Sequence, residues 1–328
     1  MINYFRNVMK TIIGKEVKEA IALLREGKLV AIPTETVYGL AGNALDENAV
    51  LEIFSVKERP AFDPLIVHVG AMEDVFHYVS DIPFGAQELM EAFWPGPLTV
   101  VMNKKNIIPD IVTSGLNTVG MRMPAHPLAL ELLQQLNFPL AAPSANPFGY
   151  ISPTTALHVS DQLNGKIPYI LDGGNCPVGV ESTIVGFEEG DCVVYRLGGL
   201  TLEEIRKVTG TVRLQINSSA DPKAPGMMKS HYAPRKPFYF GNASALVKQF
   251  EGKKIAQIDF TLPEKKSVDQ VSYFSLSDIG DFPEAARNLF SLLRELDTSD
   301  FEMIIANPVP DSGLGRAIND RLKRAAAK

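Results

Sequence analysis

The chain has 328 residues, 45% of them hydrophobic and 21% charged, which is the composition of a soluble globular protein long enough for two domains. Its formal net charge of −6 excludes a general affinity for nucleic acid, which needs a basic face to displace counterions, but leaves room for a local cationic pocket. No apolar run reaches the ~20 residues that span a bilayer, the first residues lack the pattern of a secretion signal, and the chain has only two cysteines, Cys176 and Cys192, so a reducing, cytoplasmic location is expected.

In chain order, residues 15–28 carry Val17, Ala20, Ile21 and Leu24 at helical spacing, and 29–32 read as a short buried strand stopped by Pro33. Asp46 suits the cap of a helix running to Phe54, and 65–69 form a strand. Helices follow at 72–79 and 85–93, strands at 98–102 and 119–123, and a helix at 127–136. Strands at 139–142, 169–171, 183–187 and 193–197 precede a helix at 201–208. Strands alternating with helices predict an α/β sheet covered on both faces, mixed in direction where strands cluster near 169–197. Between 211 and 237 the pattern breaks: Ser218-Ser-Ala-Asp-Pro222 and the stretch 224–234 read as a linker. Strands at 238–240, 255–259, 271–275 and 303–306, with helices near 243–250, at 284–296 and from Gly315, complete a second, small α/β unit. The expected division is therefore 1–212, a linker at 213–236, and 237–328.

The most informative stretch runs from Lys57-Glu-Arg59-Pro60 through Asp63-Pro64 to His68. Two cations at a helix-to-strand turn between prolines are placed to hold phosphates, although cations at a helix C-terminus also serve as dipole partners. Ala142-Pro-Ser144-Ala-Asn146-Pro adds hydroxyl and amide groups on a second proline-bounded loop. There is no G-x-x-x-x-G-K-[ST] motif, so a nucleotide would need another cradle, and Gly313-Leu-Gly315 reads as the turn opening the last helix. Thr34, Thr36 and Tyr38 offer polar groups or simply shape a turn. His68 is either a ligand contact or a hydrogen-bonded core residue, and Arg122 either a surface charge or a carboxylate clamp. Ser182 and Arg196 are polar groups at strand ends, where α/β sheets place ligands. Ser144 has no nucleophile elbow and no histidine or cysteine set has ligand spacing, so neither a serine hydrolase nor a tightly bound, protein-ligated metal is expected.

Several segments then fall into one ordered set: Pro33-Thr-Glu-Thr-Val-Tyr-Gly-Leu40, Lys57-x-Arg59-Pro60, Pro64-Leu-Ile-Val-His68, Trp94-Pro-Gly-Pro-Leu-Thr99, Val119-x-Met-Arg122-Met-Pro-x-His126, Ala142-Pro-Ser144-Ala-Asn146 and Gly179-Val-Glu-Ser182-Thr-Ile. This set resembles the YrdC-like domain of the L-threonylcarbamoyladenylate synthases. Pro225-Gly-Met, Ser230-His-Tyr232-Ala-Pro and the closing Gly313-x-Gly315-x-Ala-Ile-x-Asn-Asp-Arg321 resemble the long, two-domain form of that family. The resemblance implies a YrdC-like twisted mixed sheet with flanking helices, a linker and a small Rossmann-like α/β domain. It implies formation of threonylcarbamoyl-AMP and pyrophosphate from L-threonine, bicarbonate or CO2, and ATP. The product would pass to a tRNA threonylcarbamoyltransferase that modifies position 37 of tRNAs reading ANN codons; no membrane partner is expected, and the acidic net charge argues against direct tRNA binding.

By the same resemblance Thr36, His68, Arg122, Ala142 and Ser182 surround threonine, and Arg59, Thr118, Ser144, Asn146, Ser152, Arg196 and Tyr232 contact ATP, which would arrive with Mg2+. Lys57 and Arg59 are the expected catalytic cations, and the linker with Tyr232 a lid. Asp63 departs from relatives that often carry Asn or a basic residue there, and it is left out of the ATP set. The alternatives are a carbamoyl-adenylate-forming enzyme and a non-catalytic RNA-binding module, the latter disfavoured by the acidic charge.

Overall fold

The computed structural model describes residues 10–216, 231–263 and 269–327. Most of the expected linker, including Ser218–Pro222, Pro225-Gly-Met and Ser230, lies outside the described residues. The chain runs β1 (Ile12–Gly14), α1 (Val17–Arg25), β2 (Val30–Ile32), β3 (Gly39–Asn43), α2 (Glu47–Lys57), β4 (Ile66–His68), α3 (Val75–Tyr78), α4 (Phe84–Phe93), β5 (Leu98–Asn103), α5 (Asp110–Thr113), β6 (Thr118–Arg122) and α6 (Pro127–Gln134). It continues with β7 (Leu140–Ala141), α7 (Ala156–Leu163), β8 (Tyr169–Leu171), β9 (Thr183–Glu188), β10 (Asp191–Arg196), α8 (Leu202–Thr209) and β11 (Val212–Leu214). The remainder is β12 (Phe238–Phe240), α9 (Ala243–Gln249), β13 (Ile255–Asp259), β14 (Val271–Ser275), α10 (Phe282–Thr298), β15 (Met303–Ala306) and α11 (Gly315–Ala325).

Two sheets result. The first has eleven strands in the order β1-β8-β2-β3-β7-β4-β6-β5-β9-β10-β11, with parallel and antiparallel neighbours intermixed. The second is all parallel, β12-β15-β13-β14, as expected for a small Rossmann-like unit. The α1 stripe of Val17, Ala20, Ile21 and Leu24 is buried, as its spacing predicts. Asp46 caps α2 by accepting from the Asn48 amide at 3.0 Å. Both cysteines are free and buried. Among the described residues no helix is long and apolar enough to cross a membrane.

The two sheets share apolar packing. Val37, Ile151 and Val180 from the first half join Tyr232, Leu289, Phe290 and Ile318 in one buried cluster. Gly179 lets them approach closely: it sits at φ +80°, and a Cβ there would lie 2.3 Å from the Cα of Arg287 in α10. Two expectations need correction. The stretch 211–237 is not wholly patternless, since β11 pairs in parallel with β10. Arg122 is buried, so the reading of a surface charge fails. Residues 39–43, to which the sequence assigns no element, form a strand between β2 and β7.

Candidate functional site

The site forms where the C-terminal ends of β4 and β6 meet three irregular loops. Parallel pairing places His68 beside Arg122, both at strand ends. The turn after β2 is shaped by Thr34, whose hydroxyl donates to the Val37 carbonyl at 2.6 Å and accepts from the Thr36 and Val37 amides. That turn aims Glu35 and Thr36 at Arg122: Nη2 of Arg122 donates to Glu35 Oε1 at 2.6 Å and to Thr36 Oγ1 at 2.9 Å. The second Glu35 oxygen accepts the Ala125 amide at 3.0 Å, so the carboxylate is held from both sides. A fixed guanidinium beside a threonine hydroxyl can receive a small carboxylate.

On the other side, α2 ends where Glu58 turns left-handed at φ 54° and the Arg59 amide returns to the Phe54 carbonyl. Arg59 Nε donates to the Asp63 carbonyl at 3.0 Å and Nη2 to the Pro64 carbonyl at 2.9 Å, and Nη2 also pairs with Asp63 Oδ2 at 2.9 Å. Asp63 is fully buried, and its partnership with Arg59 explains why an acid is tolerated in this turn. Lys57 is also buried, and its ammonium donates to the carbonyls of Ser144 and Asn146. Burial and the neighbouring Arg59 push its pKa down, while Asp63 acts in the opposite sense. Lys57 thus fastens the 144–146 loop from beneath.

The third wall is the β9–β10 end. Ser182 Oγ lies 2.7 Å from Thr99 Oγ1 and accepts from Arg196 Nη2 at 3.0 Å. Burial lowers Arg196 to about 10, against the pull of Tyr232 and Glu181, so it remains a cation at neutral pH. Glu181 accepts from Ser152 Oγ at 2.5 Å and from Arg321 Nε of α11 at 2.9 Å. His231 and Tyr232 close the top, their rings meeting edge-on at 4.2 Å. Burial and the surrounding Arg324, Arg59, Lys57 and Arg196 hold His231 neutral.

One pocket is lined by Thr36, Arg59, His68, Arg122, Ala142, Ser144, Ser182, Arg196 and Tyr232, so nine of the expected site residues converge. Lys57, Thr118, Asn146 and Ser152 are not in its lining. Lys57 and Asn146 support the loop: the Asn146 side-chain amide donates to the Pro147 and Tyr150 carbonyls at 2.8 and 2.9 Å. Ser152 reaches the wall through Glu181. Thr118 opens β6, on the same face of the strand as Arg122 with Gly120 between them. Glu35, Glu181, Arg321 and Arg324 also stand at the site, with no role expected for them from the sequence. Around the site five guanidiniums (Arg59, Arg122, Arg196, Arg321, Arg324) and the Lys57 amine face four carboxylates (Glu35, Asp63, Glu181, Asp320). A local positive excess within a chain of net charge −6 suits an anionic ligand. Among the described residues no group of three or more His, Cys, Asp or Glu gathers as a metal site.

His68 gives a stability prediction. Burial, reinforced by Arg122, lowers its pKa to about 3. Above pH 6.5 neither the folded nor the unfolded state binds the proton. Below it only the unfolded state does, so stability falls as pH falls, until the folded imidazole protonates near 3. At pH 5 this amounts to about 2 kcal/mol. Urea unfolding at pH 7.5 and pH 5 is expected to show wild type losing about 2 kcal/mol more than His68→Gln. Equal losses would contradict the assignment of a neutral, buried imidazole.

The family described as Telomere recombination (Sua5–YciO–YrdC) matches residues 22–198, and the threonylcarbamoyl-AMP synthase C-terminal domain matches residues 200–327. A threonylcarbamoyl-AMP synthase from Pyrococcus abyssi (strain GE5 / Orsay) is 44% identical, the match covering 98% of this chain and 96% of that protein. The Bacillus subtilis (strain 168) threonylcarbamoyl-AMP synthase is 39% identical, with 95% and 93% covered. The crystal structure of P. abyssi Sua5 complexed with L-threonine superimposes with a TM-score of 0.89 at 43% identity, covering 96% of this chain and 97% of that one.

Proposed function

The chain belongs to the Sua5–YciO–YrdC family in the long form that also carries the threonylcarbamoyl-AMP synthase C-terminal domain, and we propose that its pocket makes L-threonylcarbamoyl-AMP and pyrophosphate from L-threonine, bicarbonate or CO2, and ATP. The observation that carries this reading is the convergence, in one buried pocket, of a carboxylate-sized clamp at Thr36 and Arg122 with an excess of cations at Arg59 and Arg196. Threonine occupies the first half, between Thr36, His68, Arg122, Ala142 and Ser182. The triphosphate and adenosine occupy the second, toward Arg59, Thr118, Ser144, Asn146, Ser152, Arg196 and Tyr232. Mg2+ enters as MgATP.

In the reaction the threonine amine forms an N–C bond to CO2 and loses a proton. One carbamate oxygen then attacks the α-phosphorus, and the bond to pyrophosphate breaks. Two anions must approach, so the barrier is lowered chiefly by fixed cations and by positioning, without a protein nucleophile. Arg59 screens the phosphates directly. Lys57 acts from beneath, by holding the Ser144–Asn146 loop. Neutral His68 and His231 add no like charge against these cations. Tyr232 and His231 cover the pocket and would keep water from a carbamate that readily loses CO2.

We further propose that residues 1–212 and 237–328 act as two units joined by 213–236. The product is passed, in the cytoplasm, to a transferase that modifies position 37 of tRNAs reading ANN codons. The test is a pyrophosphate-release assay with MgATP and bicarbonate, with and without L-threonine. Threonine-dependent release with threonylcarbamoyl-AMP in the mixture is expected. Release that ignores threonine would point to carbamoyl-adenylate chemistry instead, and no release under any condition would overturn the enzymatic reading.

A further inference from the structure

Arg321 lies in α11, at the far end of the chain from the threonine clamp, yet it has no solvent exposure. A buried guanidinium needs partners, and these tie it to the pocket. Nε donates to Glu181 Oε2 at 2.9 Å and Nη1 to Asp320 Oδ2 at 2.8 Å. Its carbon end lies 5.1 Å from the centroid of the Tyr232 ring, and Arg324, three residues on, lies 5.4 Å from the same ring. The backbone carbonyl of Arg324 also accepts the His231 amide at 3.3 Å. Glu181 in turn uses its other oxygen for Ser152. The second sheet thus reaches the roof ring directly and one wall through a single carboxylate.

We infer that Arg321 is a positioning residue for ATP: it fixes the Tyr232 ring over the pocket and, through Glu181, fixes Ser152. Adhesion between the two sheets does not account for it, because Val37, Ile151 and Val180 already pack on Tyr232, Leu289 and Phe290 without any charge. A buried ion pair is weak glue, often replaceable by apolar groups, but it is orientation-specific. A guanidinium can bond Glu181 edge-on while presenting its face to the aromatic ring, which the single ammonium of a lysine cannot reproduce. The inference rests on the ATP assignment proposed above for Ser152 and Tyr232.

Two readouts test it: the Kd of a nonhydrolysable ATP analogue, and the Kd of L-threonine measured without nucleotide. Arg321→Met is expected to weaken the analogue at least tenfold while threonine affinity stays within twofold of wild type. Arg321→Lys is expected to fall between them. If Arg321→Met fails to fold because Glu181 is stranded, the double variant Arg321→Met/Glu181→Gln removes that charge and keeps an acceptor for Ser152. It should show the same tenfold loss. In a Tyr232→Leu background, Arg321→Met should weaken the analogue by no more than about threefold further; a full additional tenfold would show that Arg321 does not act through the ring. Wild type that binds the analogue and releases pyrophosphate, alongside an Arg321→Met variant that binds within twofold, would overturn this inference alone. Wild type that binds threonine but not the analogue would overturn the ATP assignment itself.

Discussion

Replacing Arg59 with methionine is expected to lower kcat/KM for threonine-dependent pyrophosphate release about a thousandfold. Losing one fixed charge-stabilising group from a water-poor site costs about 4 kcal/mol. Arg59 is held for that task by three contacts: Nε to the Asp63 carbonyl, Nη2 to the Pro64 carbonyl, and the Asp63 ion pair. None of these is a ligand contact, so the side chain is oriented before substrate arrives and little rearrangement is needed on binding. The substitution also strands a fully buried Asp63, which by itself costs about 3–5 kcal/mol of stability. Arg59→Met/Asp63→Asn separates the two effects: the melting temperature should recover and the rate should not. A rate within tenfold of wild type in the refolded double variant would remove Arg59 from the catalytic role.

The second large effect is expected at Arg122. Arg122→Met should weaken L-threonine, measured calorimetrically without nucleotide, by about a hundredfold, because a charge-assisted contact to a carboxylate is worth about 3 kcal/mol in a buried setting. Glu35, which pairs with Arg122 at 2.6 Å, would then be an unneutralised buried acid. Adding Glu35→Gln should restore thermal stability while threonine stays weak. Glu35→Gln alone keeps the Ala125 contact but removes the charge that fixes Arg122, and a smaller loss, about tenfold, is expected. ATP-analogue affinity unchanged by Arg122→Met, together with the threonine loss, would locate the amino acid at this end of the pocket. Equal loss of both ligands would place Arg122 elsewhere in the mechanism.

Much of the architecture was legible because local signals agreed with tertiary ones. The apolar stripe of α1, the Asp46 cap, the strand ending at His68 and every described element from Phe238 onward follow from periodicity. What escaped was structure made by distant partners. Gly39–Asn43 carries two glycines and little strand propensity, and becomes β3 only because β2 and β7 flank it. Val212–Leu214 is a half-exposed edge strand with no alternation to read. α7 was signalled but missed: Thr155 accepts from the His158 amide as an N-cap, and Ala156, Val159 and Leu163 follow at helical spacing. At the site, side chains in compact motifs were identifiable by their chemistry. Glu35 and Glu181 were not, because each owes its burial to an arginine 87 or 140 residues away in sequence. The visible hint was an acid set within an otherwise uncharged motif, which demands a cation from somewhere.

The same separations set an order of events during synthesis. β1 has no neighbour in the sheet until Tyr169–Leu171 have left the ribosome, since its strand partner is β8. On the assignment proposed above, the threonine half can then assemble from residues up to Ser182 and Arg196, but the ring of Tyr232 lacks its Arg321 contact until α11 emerges. At about 5–20 residues per second, that leaves the nascent chain for roughly ten seconds with an amino-acid site formed and its nucleotide roof unset. On that assignment, a chain stalled in that interval would hold the amino-acid site before it held the nucleotide one.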